Sequence, residues 1–137
     1  MAYSFKLRMC FQDVDGEGIV YHSNYLDYAE RARTEWMAEQ GLTNQQVMDM
    51  GIAFVLRRAE IDFIAPAKLD DIISVDVRIA DLKNASVKLE QTISVDGHEK
   101  VKINLLLAFV DTKTLRPTRI PQEIKHIFTN YQETQGE

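Results

Sequence analysis

Between Asp13 and Tyr25 the chain carries three acids, two glycines, a histidine and the beginnings of a helix. Residue types of this kind, so closely spaced, can do several sorts of chemistry. A carboxylate in a loop just ahead of a helix can attack a carbonyl or activate water. The first N–H groups of that helix have no partners within it, so they can stabilise an oxyanion. Gly16 and Gly18 would keep side chains away from an approaching acyl group. Such a site needs no serine triad, and no Gly-x-Ser-x-Gly elbow is present.

Other readings compete for the same residues. Asp and Gly are common turn formers, so the segment also reads as a plain strand-to-helix connection. Asp13, Asp15, Glu17 and Gly18 match the opening of a calcium loop. Its closing bidentate glutamate is replaced by Asn24, however, and a strand precedes it where a helix is required. Gly16-x-Gly18 lacks the third glycine and the lysine-serine ending of phosphate-binding loops.

The elements that must position this loop follow from periodicity. Phe5, Leu7, Met9 and Phe11 alternate with Lys6, Arg8, Cys10 and Gln12, which predicts a half-buried strand over Phe5–Gln12. Cys10, the only cysteine, reads there as a small apolar filler and can form no disulfide within the chain. Ser23 or Asn24 is positioned to cap a helix running to about Gln40, stopped by Gly41. Leu26, Ala29, Ala32, Arg33 and Trp36 make its inward stripe, and its length would be roughly 25 Å. Trp36, with Tyr25 and Leu26, reads as core. Thr43 and Gln46 predict a capping box opening a short helix that ends near Gly51.

From Ile52 onward the pattern is mostly extended. A long stretch runs to Ile64, and alternating strands follow around Ile73–Ile79 and Val87–Val95. Asp96-Gly97 then makes a hairpin turn, and the next strand, Val101–Val110, is apolar on both faces around Leu105 to Ala108. Pro121 opens a final helix with Ile124, Ile127 and Phe128 inward, and a polar, frayed tail is expected from about Gln132 to Glu137. One strand, a long helix and then four strands imply an α+β antiparallel sheet with its helix on one face, read as a single domain over residues 1–137.

Composition narrows the function. A net charge of −5 with scattered lysine and arginine argues against nucleic acid. Residues Met1 to Lys6 lack a secretory signal pattern, and no apolar run approaches a membrane span, so a soluble, cytoplasmic protein is expected. His98 and His126 read as solvent-exposed. Glu30, Arg31, Arg33 and Glu35 read as a polar helix face.

The run DVDGEGIVYHSNYL at 13–26, followed by ERARTEW at 30–36, resembles the hotdog-fold thioesterases of the 4-hydroxybenzoyl-CoA thioesterase type. Within these it is most similar to the branch associated with the Tol-Pal envelope system. Asp62 to Asp71 is a second matching block, and the likeness extends from the first strand to about Pro121. The resemblance implies an acyl-CoA thioesterase with a five-stranded antiparallel sheet wrapped around a long central helix. It implies Asp15 as catalytic nucleophile or general base. His22 is the second catalytic residue, with its backbone N–H as oxyanion donor, and Tyr21, Asn24 and Tyr25 contact substrate. Glu30 or Glu35 is the alternative acid, since some hotdog thioesterases take theirs from the central helix. Phe11 stands where this branch usually carries a tyrosine, so a hydrogen bond to Asp15 from that side is in question. Also implied are a homodimer or homotetramer with sites at the subunit boundary, and no metal or cofactor beyond the coenzyme A of the substrate. The acyl carrier, coenzyme A or a carrier protein, is left open. A non-catalytic protein that binds acyl-CoA or acyl carrier protein is the alternative, and a calcium-responsive interaction module the next.

Overall fold

The computed structural model describes residues 2–136. Five strands form one antiparallel sheet: β1 (Tyr3–Arg8), β2 (Ile52–Phe63), β3 (Ile72–Leu82), β4 (Ser86–Val95) and β5 (His98–Asp111), in the order β1-β3-β4-β5-β2. Three helices accompany it: α1 (Tyr25–Glu39), α2 (Asn44–Asp49) and α3 (Gln122–Thr134).

Strict alternation makes one face of the sheet apolar. Ile73, Val75, Val77 and Ile79 of β3 are buried, as are Val87, Leu89, Ile93 and Val95 of β4. Cross-strand pairs Val75–Ile93, Ile79–Leu89 and Leu89–Leu105 join these rows into one surface. Register shifts at Leu56/Arg58, Ile79/Asp81 and Ile93/Ser94 bend the strands. The curved sheet thereby wraps α1, as expected for the hotdog fold. Asp96 and Gly97 close the β4–β5 hairpin with φ of 50° and 80°, the left-handed pair such a turn requires.

Helix α1 buries Tyr25, Tyr28, Ala29, Ala32, Trp36 and Met37. Ala29 and Ala32 have no exposed surface, so their small side chains let the helix axis lie close to the strands. Leu26 and Arg33 of the predicted stripe are only partly buried. Trp36 packs on Phe128 and Tyr131 of α3, with ring centroids 5.1 and 4.9 Å away. Gly41, at φ +86°, ends the segment as expected. The Thr43–Gln46 capping box is formed, with Gln46 N–H donating to Thr43 Oγ1 at 3.2 Å.

Four expectations change. Strand β1 starts earlier and stops at Arg8, because Asp13 folds back to accept the Cys10 N–H and makes a 3-10 turn of Phe11–Asp13. Phe11 therefore leaves the inner face and is 83% exposed. Cys10 is likewise exposed and no core filler; its thiol donates to Asp13 Oδ2 at 3.1 Å. Neither Ser23 nor Asn24 caps α1 through its side chain, since a 3-10 turn of His22–Asn24 leads directly into the helix. The C-terminal residues are docked where a frayed tail was expected: α3 runs to Thr134, and Gln135 bonds both the N–H and the carbonyl of Ile79. Glu137 of that expected tail lies outside the described residues.

Candidate active site

The loop from Val14 to Val20 is a miniature hairpin. Val14 bridges Val20, Asp15 N–H donates to the Ile19 carbonyl at 2.9 Å, and Gly18 N–H returns to the Asp15 carbonyl at 3.0 Å. The turn needs a left-handed residue, and Gly18 supplies it at φ +75°. Its outer side is stitched to the segment after β2. Val20 N–H donates to Ala67, Leu69 N–H donates to Gly18, and Ile19 bridges Lys68. The second motif block, Asp62–Asp71, thus holds the first in place.

Asp15 sits on this hairpin with its carboxylate exposed to solvent. Oδ1 accepts two backbone N–H bonds, from Glu17 at 2.8 Å and Ile19 at 3.3 Å. Oδ2 has no hydrogen-bond partner among the described residues. One oxygen orients the group, and the other stays free for chemistry. The N–H groups of His22 and Ser23, at the entry to α1, also donate to nothing among the described residues.

Asp15, Ile19, Val20, Tyr21, His22 and Tyr25 form one side of an open cleft of about 440 Å³, and Phe63, Ile64, Ala65 and Pro66 form the other. The aromatic rings touch in sequence: Tyr21 lies 5.7 Å from His22, His22 6.3 Å from Phe63, and Phe63 6.0 Å from Tyr25. Tyr25 is buried, and its hydroxyl accepts the Ala67 N–H at 3.1 Å. Tyr21, Phe63 and Ile64 leave about half of their surfaces exposed, an apolar rim around the carboxylate. No hydrogen bond joins the His22 imidazole to Asp15.

Asn24 does not line this cleft. Its Nδ2 donates to the Asp13 carbonyl at 3.0 Å, which makes it a brace between loop and helix. The carboxylates of Asp13 and Asp15 do not converge as a calcium loop requires. Asp13 Oδ1 accepts the Tyr28 hydroxyl at 2.7 Å, and Oδ2 accepts the Cys10 N–H at 2.8 Å. Partial burial pushes the Asp13 carboxyl up. The Cys10 N–H, the Cys10 thiol, the Tyr28 hydroxyl and the nearby Arg31 charge outweigh it, so its pKa lies below the ordinary value. Burial, followed by the bond to Asp13 and its charge, drives the Tyr28 phenol far above the ordinary tyrosine range. Glu30 lines a groove of about 460 Å³ between α1, α2, β2 and β5, and with Glu35 it also borders a depression on the exposed side of α1. His98 and His126 are exposed, as expected. Phe11 is turned out to solvent.

Phe63 and Ile64 were not picked out as site residues by sequence reasoning. Their signal is an apolar pair at the end of a strand, just before Pro66, where the inward phase has already been lost.

A curved five-stranded antiparallel sheet around one long helix is the hotdog architecture. The chain belongs to the thioesterase-like superfamily, whose family model matches residues 10–128. It is 34% identical over 127 residues to the acyl-CoA thioesterase YbgC of Haemophilus influenzae, covering 92% of this chain and 93% of that one. To the YbgC thioesterase of Helicobacter pylori strain J99 it is 32% identical, covering 90% and 98%. Among solved structures, a probable thioesterase from Bartonella henselae superposes with a TM-score of 0.83 at 30% identity, covering 88% of this chain and all of that one. Among the described residues no helix is long and apolar enough to cross a membrane.

Proposed function

We propose that this protein hydrolyses acyl-CoA thioesters to the free acid and coenzyme A, with Asp15 and His22 as its catalytic residues. The observation that carries the reading is that one cleft is lined both by Asp15, whose Oδ2 has no partner among the described residues, and by His22, whose N–H, like that of the adjoining Ser23, has no acceptor among them. The thioester carbonyl fits between them. Asp15 Oδ2 adds to the carbonyl carbon, or removes a proton from the water that does. The oxyanion is met by the His22 and Ser23 N–H groups, whose orientation is set before substrate arrives. Collapse breaks the C–S bond. Where Asp15 acted as base, the departing thiolate takes the proton that Asp15 removed from water, and the free acid is left. Where Asp15 added, the thiolate takes a proton by way of His22, and water then cleaves the acyl anhydride on Asp15 to the free acid, its proton replacing the one given up. Tyr21, Tyr25 and Phe63 hold the acyl end by apolar contact. No metal or further cofactor enters the scheme, and a coenzyme A substrate places the protein in the cytoplasm.

The cleft is open on one side, and β2, the longer of the two edge strands, borders the sheet opposite β1. It exposes Val55 and Leu56 while pairing only with β5. Antiparallel pairing of two β2 edges would make one continuous sheet in a homodimer. It would also bring the Phe63 end of one strand towards the Ile52 end of the partner's, so that a second subunit closes the cleft. A homotetramer would stack two such dimers.

The test is thiol release from short, long and aromatic acyl-CoAs by the wild type and by Asp15→Asn. The substitution keeps the shape and the accepting oxygen but loses the charge, so turnover is expected to fall by roughly a thousandfold. Equal release by both proteins would defeat the assignment.

A further inference from the structure

Asp13 precedes Asp15 by two residues and ties together three segments around the loop: the stretch after β1, the turn ahead of α1, and α1 itself. Its carboxylate holds the end of the β1 segment through Cys10 and holds α1 through Tyr28. Its carbonyl accepts the Tyr21 N–H at 3.1 Å and Asn24 Nδ2 at 3.0 Å, from the stretch that carries the free amides. Tyr28 is 5% exposed, and its ring meets Tyr25, a wall of the cleft, edge-on at 6.1 Å. The hydroxyl is therefore fixed from the core side, and the loop is registered against it. Resting on the thioesterase reading above, we propose that the Tyr28–Asp13 pair is a positioning device. It sets Asp15 against the His22 and Ser23 amides and holds fully only while Asp13 is ionised. A protonated Asp13 offers its donors one charged acceptor fewer, and hydrogen bonds to a charged acceptor are the strong ones. The groups facing it are Cys10 from the β1 side and Tyr28 and Arg31 from α1, and all of them favour the ionised form.

Tyr28→Phe removes the hydroxyl and little else. On an acyl-CoA that the wild type turns over, kcat is expected to drop roughly tenfold or more with KM changed less than about twofold, since the loss concerns alignment. The acid limb of kcat should also move to higher pH, because Asp13 loses one of the bonds that keep it ionised. Asp13→Asn should show a low kcat throughout, with Asp13's share of the acid limb gone. A carboxyl-carbon NMR titration of the wild type supplies a readout free of turnover: the Tyr21 and His22 amide signals should shift with the Asp13 midpoint. Folded Tyr28→Phe with wild-type kcat and an unmoved acid limb would overturn the proposal, as would amide signals indifferent to Asp13. Should Tyr28→Phe fail to fold, Asp13→Asn and the titration decide. A wild type inert towards every acyl-CoA would sink the thioesterase reading instead, and the titration would still judge the pair.

Discussion

In the proposed mechanism Asp15 and His22 do different work, and their substitutions should differ accordingly. Asp15 contributes a side-chain oxygen that nothing else replaces. His22 contributes chiefly its backbone N–H, which survives any substitution except proline. His22→Ala is therefore expected to lower kcat by roughly ten- to a hundredfold, well short of the Asp15→Asn loss, in the same thiol-release assay. A second residue-level expectation concerns Asp76, whose carboxylate accepts the Thr92 N–H at 2.6 Å beneath the sheet. Burial raises its carboxyl above the usual 3.8, with Glu99 adding to the rise while the Thr92 N–H and Arg78 oppose it. A raised folded value means that the protonated form is the one the fold prefers. Its contribution is complete below pH 3.8 and lost as pH rises through the folded value. Asp76→Asn mimics the protonated form, so its melting temperature should exceed the wild type's at pH 7, and the difference should vanish below pH 3.8. An unchanged difference across that range would show that Asp76 is not under this penalty.

Among the elements, the seat of α1 in the curved sheet matters most, because the helix carries the amides and the hydroxyl that organise the loop. Two contacts fix it. Trp36, 1% exposed, locks α1 to α3 through Phe128 and Tyr131. Gln91, equally buried, pins it to the sheet by donating to the Ala29 and Asp76 carbonyls while accepting from Arg33. Trp36→Ala should cost about 3–5 kcal/mol in denaturant unfolding, since it empties a close-packed site. Trp36→Phe should cost distinctly less than the alanine change. It retains most of the ring and removes an indole N–H that is buried with no partner among the described residues.

For the whole molecule, the open side of the cleft and the free β2 edge point the same way. Lysine at both Val55 and Leu56 puts charge on the exposed edge without touching the cleft residues. Sedimentation should show wild type as a dimer or larger and the double variant shifted to monomer, with turnover falling in step. A monomeric wild type, or a monomeric variant with full activity, would show that one subunit suffices.

Much of this architecture was legible along the chain because its periods are strong. Alternation in Ile73–Ile79 and Val87–Val95, the Asp96-Gly97 turn and the Thr43 capping box are local consequences of side-chain chemistry, and each is found in the structure. The residues lining the cleft were legible only in part. Asp15, Tyr21, His22 and Tyr25 share one motif, whereas Phe63 and Ile64 reach the cleft from the far end of β2, with α1, α2 and the length of that strand between them and the loop. Local pattern also failed where a long-range partner won. Phe11 and Cys10 alternate perfectly with the strand, yet Asp13, held by Tyr28 from α1, pulls them into a turn. Asn24 has the right chemistry for a cap and spends its amide on the Asp13 carbonyl instead. By itself, then, the order of residues determined which segments are strand or helix and that a loop of carboxylates leads into the long helix, because periodicity and motif chemistry act over a few neighbours. Which oxygen of Asp15 stays free, and which wall it faces, was decided only by tertiary structure, since hydrogen-bond donors compete across the whole fold and the nearest in space wins.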